Sequence, residues 1–176
     1  MKILNLHGFM GEADNKNYKA LCEIFPKEDI ISPKIDYINT SPEELFQRFA
    51  DMVDIDNCIF VGQSLGGWYA DKLSRKFKCP CILTNPCNYP HKLELITTSG
   101  ISAEYVEQYR EKSSCTINER AYTLCSDADT ILPDNYADCV KLARCVRRVR
   151  GSHSTIENVG EHISALLTEM QSDGMF

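Results

Sequence analysis

The order of its segments constrains the fold of this chain more than any other feature. Short apolar runs alternate with longer stretches whose apolar residues recur at helical spacing, and no internal repeat or linker interrupts them. Alternating strands and helices form right-handed crossovers, which build a parallel sheet with helices on both faces. The 176 residues fit one domain. We therefore predict a single-domain α/β fold, doubly wound, with a mostly parallel sheet of about six strands.

The short apolar runs predict the positions of the strands, and the helical spacing predicts the positions of the helices. Strands are predicted at residues 2–6, 29–33, 58–62, 80–84, 121–125 and 145–150. Helices are predicted at residues 15–25, 41–53, 65–77, 102–112, 134–143 and 154–170. Because ligands bind at the carboxyl ends of the strands in such sheets, we expect the functional residues in the loops that follow strands.

Residues 85–118 depart from this alternation. The segment is too long for an ordinary connection, and it contains Pro86, Pro90 and one helix-like stretch. We predict that it forms a small lid over the strand ends. The last residues, 171–176, are predicted to be frayed.

Charge and composition exclude several classes of function. A net charge of −6 argues against a nucleic-acid partner. No stretch approaches the ~20 apolar residues of a membrane span, and the apolar start is too short for a signal peptide. The nine cysteines are odd in number, and several fall in strand-like runs, as is typical of reduced thiols. We expect a cytoplasmic protein with a small-molecule substrate; the oligomeric state stays open.

A metal site at Cys79 and Cys81 is the one interpretation of the cysteine pattern that would require a cofactor. Both sulfurs would point the same way on a strand. A second Cys or His pair at ligand spacing does not accompany them. We therefore predict no metal and no cofactor.

Ser64 stands in the sequence Gly62-Gln63-Ser64-Leu65-Gly66, which matches the G-x-S-x-G nucleophile elbow. The motif requires a strand before it and a helix after it, and both are predicted here. The elbow holds its serine in a strained conformation, so side chains at the glycine positions would collide with neighbouring elements. The pattern predicts that Ser64 is a nucleophile; the alternative is a small-residue turn.

A serine nucleophile needs a base and an acid, which follow later strands in this type of chain. His153 comes after the last predicted strand, where the base belongs, although a plain loop histidine is the alternative. Asp129 stands four residues before Pro133, a spacing typical of the acid. Asp127 lies closer to the end of the same strand and remains the alternative candidate for the acid.

The oxyanion hole is predicted from backbone N–H groups. One belongs to Leu65, after the nucleophile, and the other to Phe9, in the glycine-rich loop after the first strand. His7 precedes Phe9 and is assigned a structural role. Met10, Trp68 and Tyr89 are further candidates for the pocket wall.

With these residues assembled, the chain resembles the α/β-hydrolases and, within them, the compact YqiA-like esterases. The resemblance covers nearly the whole chain and is most specific in "SLGGWYA" followed by "NPCNYP". It implies Ser64, Asp129 and His153 as the triad, and hydrolysis of acyl esters or thioesters without a cofactor. The chain departs from the family pattern in "DAD", where "GDE" is expected, and in "SHSTIEN", which lacks an aromatic residue after the histidine.

The function predicted from the sequence is a serine esterase or thioesterase. The short lid predicts an open site that suits small or extended acyl chains. A non-catalytic binding protein with the same fold is the alternative from another class. A peptidase or a cofactor-free peroxidase would use the same triad for different chemistry.

Overall fold

The computed structural model describes residues 1–53 and 57–176 as a single domain built on a parallel sheet. The strands are β1 (Lys2–Leu6), β2 (Ile30–Ile31), β3 (Cys58–Gln63), β4 (Cys81–Thr84), β5 (Asn118–Ser126) and β6 (Ala143–Val149). Their order across the sheet is β2-β1-β3-β4-β5-β6, and every pair is parallel. The predicted α/β fold is confirmed.

The helices that flank this sheet are α1 (Lys16–Ile24), α2 (Pro42–Ala50), α3 (Leu65–Phe77), α4 (Glu94–Thr97), α5 (Ala103–Glu111), α6 (Asn135–Leu142) and α7 (Val159–Ser172). Short 3₁₀ turns lie at Lys27–Asp29 and Pro90–Lys92. Within the described ranges, no helix has both the length and the apolar character needed to cross a membrane.

The core lies in two layers, one on each face of the sheet. Along β3, Phe60 packs into the layer formed with α2 and α3, whereas Ile59 and Val61 pack into the layer formed with α1 and α7. Successive strand residues point to opposite faces, and both faces are covered. This explains why the strands of the sequence are continuous apolar runs.

Helix α7 begins five residues later than the predicted start at residue 154. Gly151 pairs with Ile156 in an antiparallel bridge, and the N–H of Ser152 donates to the Thr155 carbonyl at 2.8 Å. These contacts close a tight turn before the helix. The turn carries His153 at the carboxyl end of β6.

The segment 85–118, predicted as a lid, contributes to the core as well. Ile96, Ile101 and Tyr109 are buried in the layer formed with α2 and α3. The Tyr109 hydroxyl lies 2.9 Å from that of Tyr69 on α3. The segment is therefore anchored in the core from Ile96 onward, and residues before Ile96 border the strand ends that carry the site.

Part of the segment 171–176, for which we predict fraying, contacts the sheet and the layer beneath α7. Helix α7 continues to Ser172, and the Asp173 carboxylate accepts hydrogen bonds from the Tyr122 hydroxyl and, at 3.0 Å, from Arg144 Nε. Met175 packs against the apolar layer beneath α7. These contacts hold the end of the chain on the sheet.

Candidate active site

Ser64 lies at the junction of β3 and α3 in a backbone conformation that few residues adopt. Its φ is +51° and its ψ is −118°. A Cβ at Gly62 would lie 2.3 Å from the Gly66 carbonyl oxygen, and one at Gly66 would lie 2.2 Å from the Leu6 carbonyl oxygen. Both distances are far inside van der Waals contact, so the elbow requires glycine at these two positions.

His153 bridges Ser64 and a carboxylate. Its Nε2 lies 2.9 Å from Ser64 Oγ, and its Nδ1 lies 2.8 Å from Asp129 Oδ2. The three side chains come from the ends of β3, β5 and β6. Ser64 and His153 are 89 residues apart in the sequence, and Asp129 and His153 are 24 residues apart. A histidine held in this way can take a proton from the serine hydroxyl while the carboxylate fixes its tautomer.

The environment of Asp129 keeps its carboxyl group ionised. Burial alone would raise its pKa, but hydrogen bonds from His153 and from the backbone N–H groups of Leu132 and Ile131 outweigh burial, so the pKa lies below its ordinary value. The two N–H groups donate to Oδ1 at 2.9 and 3.0 Å. Oδ2 is thereby left for His153.

Asp127 is not brought to His153. Its side chain is exposed, and its Oδ1 accepts a hydrogen bond from the Gly151 N–H at 3.1 Å. That bond supports the turn that carries His153 and does not involve the imidazole ring. Of the two aspartates left open by the sequence, Asp129 is the one beside the histidine.

The loop after β1 passes directly against Ser64. A Cβ at Gly8 would lie 3.0 Å from Ser64 Cβ. The Gly8 carbonyl accepts hydrogen bonds from the Gly11 N–H at 2.9 Å and from His7 Nδ1 at 2.8 Å. Since a trans peptide directs its N–H opposite to its carbonyl, these bonds also fix the direction of the Phe9 N–H.

His7 is a buried part of this loop. Its Nε2 accepts a hydrogen bond from the Ile35 N–H at 2.9 Å, so its proton resides on Nδ1. Burial lowers the pKa of His7, which keeps the ring neutral. The contacts agree with the structural role expected for this residue.

A cavity of about 550 Å³ opens in front of Ser64 and His153. Its apolar lining residues are Phe9, Met10, Leu93, Leu95 and Ile131. Its polar lining residues include Glu12, Asp14, Lys16, Lys19, Ser154 and Thr155. Met10, a candidate for the pocket wall, is among the lining residues and is 78% exposed.

Trp68 does not line this cavity, which corrects its assignment to the pocket wall. The side chain is only 3% exposed and packs edge-on against Tyr69 and Tyr109, with ring centroids 4.9 and 5.0 Å apart. It follows Ser64 by one helical turn, but this position on α3 faces the anchored helix α5. Tyr89 also lies outside the Ser64 cavity and lines a neighbouring one.

Asn85 is a site residue that the sequence analysis missed. It ends β4 in the left-handed conformation, with φ of +45°. Its buried Nδ2 lies 3.1 and 3.0 Å from the carbonyls of Ser152 and His153, and its Oδ1 accepts from the Ser126 N–H at 2.7 Å. One carboxamide thus joins the ends of β4 and β5 to the backbone of the His153 turn. The motif "NPCNYP" was the available signal, but no role followed from it.

Gln63, next to the nucleophile, makes a second connection of this kind. Its Nε2 donates to the Ser154 carbonyl at 3.4 Å, and its Oε1 accepts from Asn15 Nδ2 at 3.2 Å. Asn15 caps α1 by accepting a hydrogen bond from the Tyr18 N–H. The residue between the glycine and the serine of the elbow therefore ties the His153 turn to the start of α1.

We predict that Asn85→Gly lowers kcat for an ester substrate by about 10- to 100-fold, because a small displacement of a catalytic group has effects of this size. Glycine retains the left-handed backbone and removes only the carboxamide. The measurement is kcat and KM on a p-nitrophenyl ester, with the thermal midpoint recorded in parallel.

Asn158→Gly is the matched control for this variant. Asn158 also has a left-handed backbone, with φ of +50°, and its side chain makes no capping hydrogen bond to α7. We expect its kcat to stay within about twofold of the parent. If both variants lost activity equally, the effect would come from the backbone and not from the Asn85 amide.

The family model of UPF0227, described as an uncharacterised protein family, matches residues 2–168. The chain belongs to this family. For this member of UPF0227, the resemblance to the α/β-hydrolases and their compact YqiA-like branch is confirmed.

Solved structures share the fold of this UPF0227 member at low sequence identity. Mouse alpha/beta hydrolase domain-containing protein 10 matches with a TM-score of 0.70 and 13% identity, over 99% of this chain and 90% of that one. The metagenome-derived lipolytic enzymes LipS and LipT give 0.59 and 14%, over 97% and 93%. The type II thioesterase BorB of the borrelidin cluster gives 0.56 and 13%, over 94% and 87%. These likenesses identify the α/β-hydrolase fold.

Proposed function

We propose that the protein is a serine hydrolase that cleaves carboxylic ester or thioester bonds of acyl substrates through an acyl-enzyme intermediate. The observation that carries the proposal is the continuous hydrogen-bonded series Ser64 Oγ, His153 and Asp129, with distances of 2.9 and 2.8 Å. The series opens on a cavity large enough for a small ligand.

Acylation begins when His153 Nε2 takes the Ser64 proton and Ser64 Oγ attacks the acyl carbonyl carbon. The carbonyl oxygen becomes an oxyanion, which we assign to the N–H groups of Phe9 and Leu65. His153 then gives its proton to the leaving oxygen or sulfur, and the carbon–heteroatom bond breaks. Asp129 stabilises the imidazolium without accepting its proton.

Deacylation follows the same route with water as the nucleophile. His153 takes a proton from the water, which attacks the acyl-serine carbonyl. When the second oxyanion collapses, the bond to Ser64 Oγ breaks, the carboxylic acid leaves, and His153 returns its proton to Ser64 Oγ. No metal or redox cofactor enters this sequence. We retain the cytoplasmic location as a prediction from the cysteine usage.

The apolar and polar lining residues suit different parts of an acyl substrate. The leaving group receives its proton from His153, so we place it beside Ser154 and Thr155, the polar lining residues that follow His153 in the chain. We assign the acyl chain to the apolar lining residues. We therefore propose substrates in which an apolar acyl group is joined to a polar alcohol or thiol.

Covalent labelling tests the proposed nucleophile directly. A fluorophosphonate probe should add one label to the folded protein, at Ser64 by peptide mass spectrometry. Prior reaction with a p-nitrophenyl ester should slow the labelling. Absence of label on a folded sample would favour the non-catalytic binding protein.

A substrate panel separates the proposed ester chemistry from its alternatives. We expect p-nitrophenyl esters and acyl thioesters to be hydrolysed, and aminoacyl amides to be hydrolysed poorly or not at all. Turnover of amides alone would instead identify a peptidase. Peroxide-dependent oxidation in the presence of acetate would identify a peroxidase.

A further inference from the structure

A second cavity adjoins the Ser64 cavity. Leu93 and Ile131 line both cavities, so this pair forms the boundary between them. Beyond the pair, Tyr89, Leu132 and Pro133 contribute a mostly apolar wall. The second cavity thus lies between the first half of the segment 85–118 and the loop that carries Asp129.

The proposed reaction points the acyl chain away from the turn that carries His153. His153, Ser154 and Thr155 line the cavity where the leaving group takes its proton. A chain attached to the same carbonyl carbon extends away from them. Leu93 and Ile131 are apolar residues shared by the two cavities, and burying methylenes against them is favourable.

The size of the second cavity limits the length of chain it can hold. Its volume is about 200 Å³. A water-sized group fills roughly 30 Å³ of liquid volume, and a methylene is similar in size, so the cavity holds about seven chain atoms.

Polar residues also line the second cavity. They include Asp134, Asn135 and Asp138, together with Lys92, whose ammonium lies 4.5 Å over the Tyr89 ring. A longer apolar chain would have to bury against these charged groups, which is unfavourable. A terminal carboxylate on the chain would meet two aspartates.

We propose that this second cavity is the acyl-chain site and that it selects uncharged, unbranched chains of about six to eight carbons. The inference depends on the proposed hydrolase function and specifies its substrate class. Tyr89 and Ile131 are its specificity-determining residues: Ile131 controls entry, and Tyr89 limits the space beyond.

The first test is the chain-length profile of p-nitrophenyl esters from acetate to palmitate. Each buried methylene should raise kcat/KM by up to about fourfold, until the cavity is full at about eight carbons. Beyond that length kcat/KM should level off or fall. A profile that decreases steadily from acetate would overturn the proposal.

Two substitutions change the cavity in opposite directions. Ile131→Trp should narrow the entrance and lower the octanoate-to-acetate ratio of kcat/KM at least tenfold. Tyr89→Ala should enlarge the cavity and move the optimum to longer chains. Tyr136→Ala makes the same change as Tyr89→Ala at a tyrosine that is 39% exposed and lines neither cavity, so its profile should match the parent.

A binding experiment distinguishes failure of this proposal from failure of the hydrolase function. Sodium octanoate and sodium butyrate are titrated calorimetrically into Ser64→Ala, with and without Ile131→Trp. The chain site stands if octanoate binds at least tenfold tighter than butyrate and Ile131→Trp removes that difference in affinity. If no ester is hydrolysed in the same set of experiments, only the proposed hydrolase fails. If esters are hydrolysed and Ile131→Trp leaves the chain-length profile and octanoate binding unchanged, the chain site is overturned while the hydrolase stands.

Discussion

Ser64→Ala is expected to lower kcat on esters by about 10⁵- to 10⁶-fold, the range seen when the nucleophile of a serine triad is removed. The alanine methyl occupies the same strained position but cannot attack a carbonyl. The variant should keep the parent fold, since its backbone conformation, with φ of +51°, is set by the surrounding elements. Steady-state hydrolysis of a p-nitrophenyl ester measures the loss, and thermal unfolding verifies the fold.

The residual rate of Ser64→Ala tests the proposed oxyanion hole separately from the nucleophile. Substrate binding and the oxyanion-hole donors alone retain some rate enhancement over water in other serine hydrolases. A small residual above the uncatalysed rate therefore agrees with the roles given to Phe9 and Leu65. Retention of more than one tenth of the parent kcat would show that Ser64 is not the nucleophile.

Asp129→Asn is expected to lower kcat by about 10³- to 10⁴-fold with little change in the fold. Asp129 Oδ1 accepts hydrogen bonds from the Ile131 and Leu132 N–H groups, so an asparagine at this position would keep its oxygen there. Its amide would then face His153 Nδ1 as a donor. The imidazole would carry its proton on Nε2, toward Ser64, and could not act as a base.

Asp127→Asn is the control for this substitution, because it makes the same chemical change two residues earlier. The asparagine oxygen can still accept the hydrogen bond from the Gly151 N–H. We expect kcat within about threefold of the parent, measured on the same ester. If Asp127→Asn lost activity and Asp129→Asn retained it, the acid would be Asp127.

Protonation of Asp129 adds a pH dependence to the stability of the native site. The pKa of this carboxyl is lowered in the folded protein, so its hydrogen bonds stabilise the fold above its unfolded pKa. That stabilisation is lost as the pH falls through the folded pKa. Asp129→Asn should therefore unfold with a shallower decline in stability under acidic conditions than the parent does.

The strands and helices predicted most accurately are those that depend on local sequence patterns. Strands β1 and β3 were predicted within one residue, since continuous apolar runs are what a sheet covered on both faces requires. Helix α2 begins at Pro42, one residue after the predicted start at residue 41, and Ser41 Oγ accepts a hydrogen bond from the Glu44 N–H at 3.1 Å. Such signals act within a few residues and can be read without knowing the fold.

The errors fall where distant contacts decide the outcome. The start of α7 is delayed because Gly151 and Ile156 pair across the turn that carries His153. Near the end of the chain, Asp173 contacts Tyr122 and Arg144 from two other strands. Trp68 faces α5 because the segment 85–118 packs on α3, an arrangement that helical spacing alone does not reveal.

Local pattern and the order of strands were enough to predict the parallel α/β sheet, the elbow at Ser64, and His153 with Asp127 or Asp129 as its acid. The folded structure brings Asp129 and not Asp127 against the imidazole, because that contact depends on how neighbouring strand ends meet. It also brought Asn85 and Gln63 to the His153 turn and set a second cavity beside Leu93 and Ile131. These features arise from groups far apart in the chain, and their distances exist only once the sheet has formed.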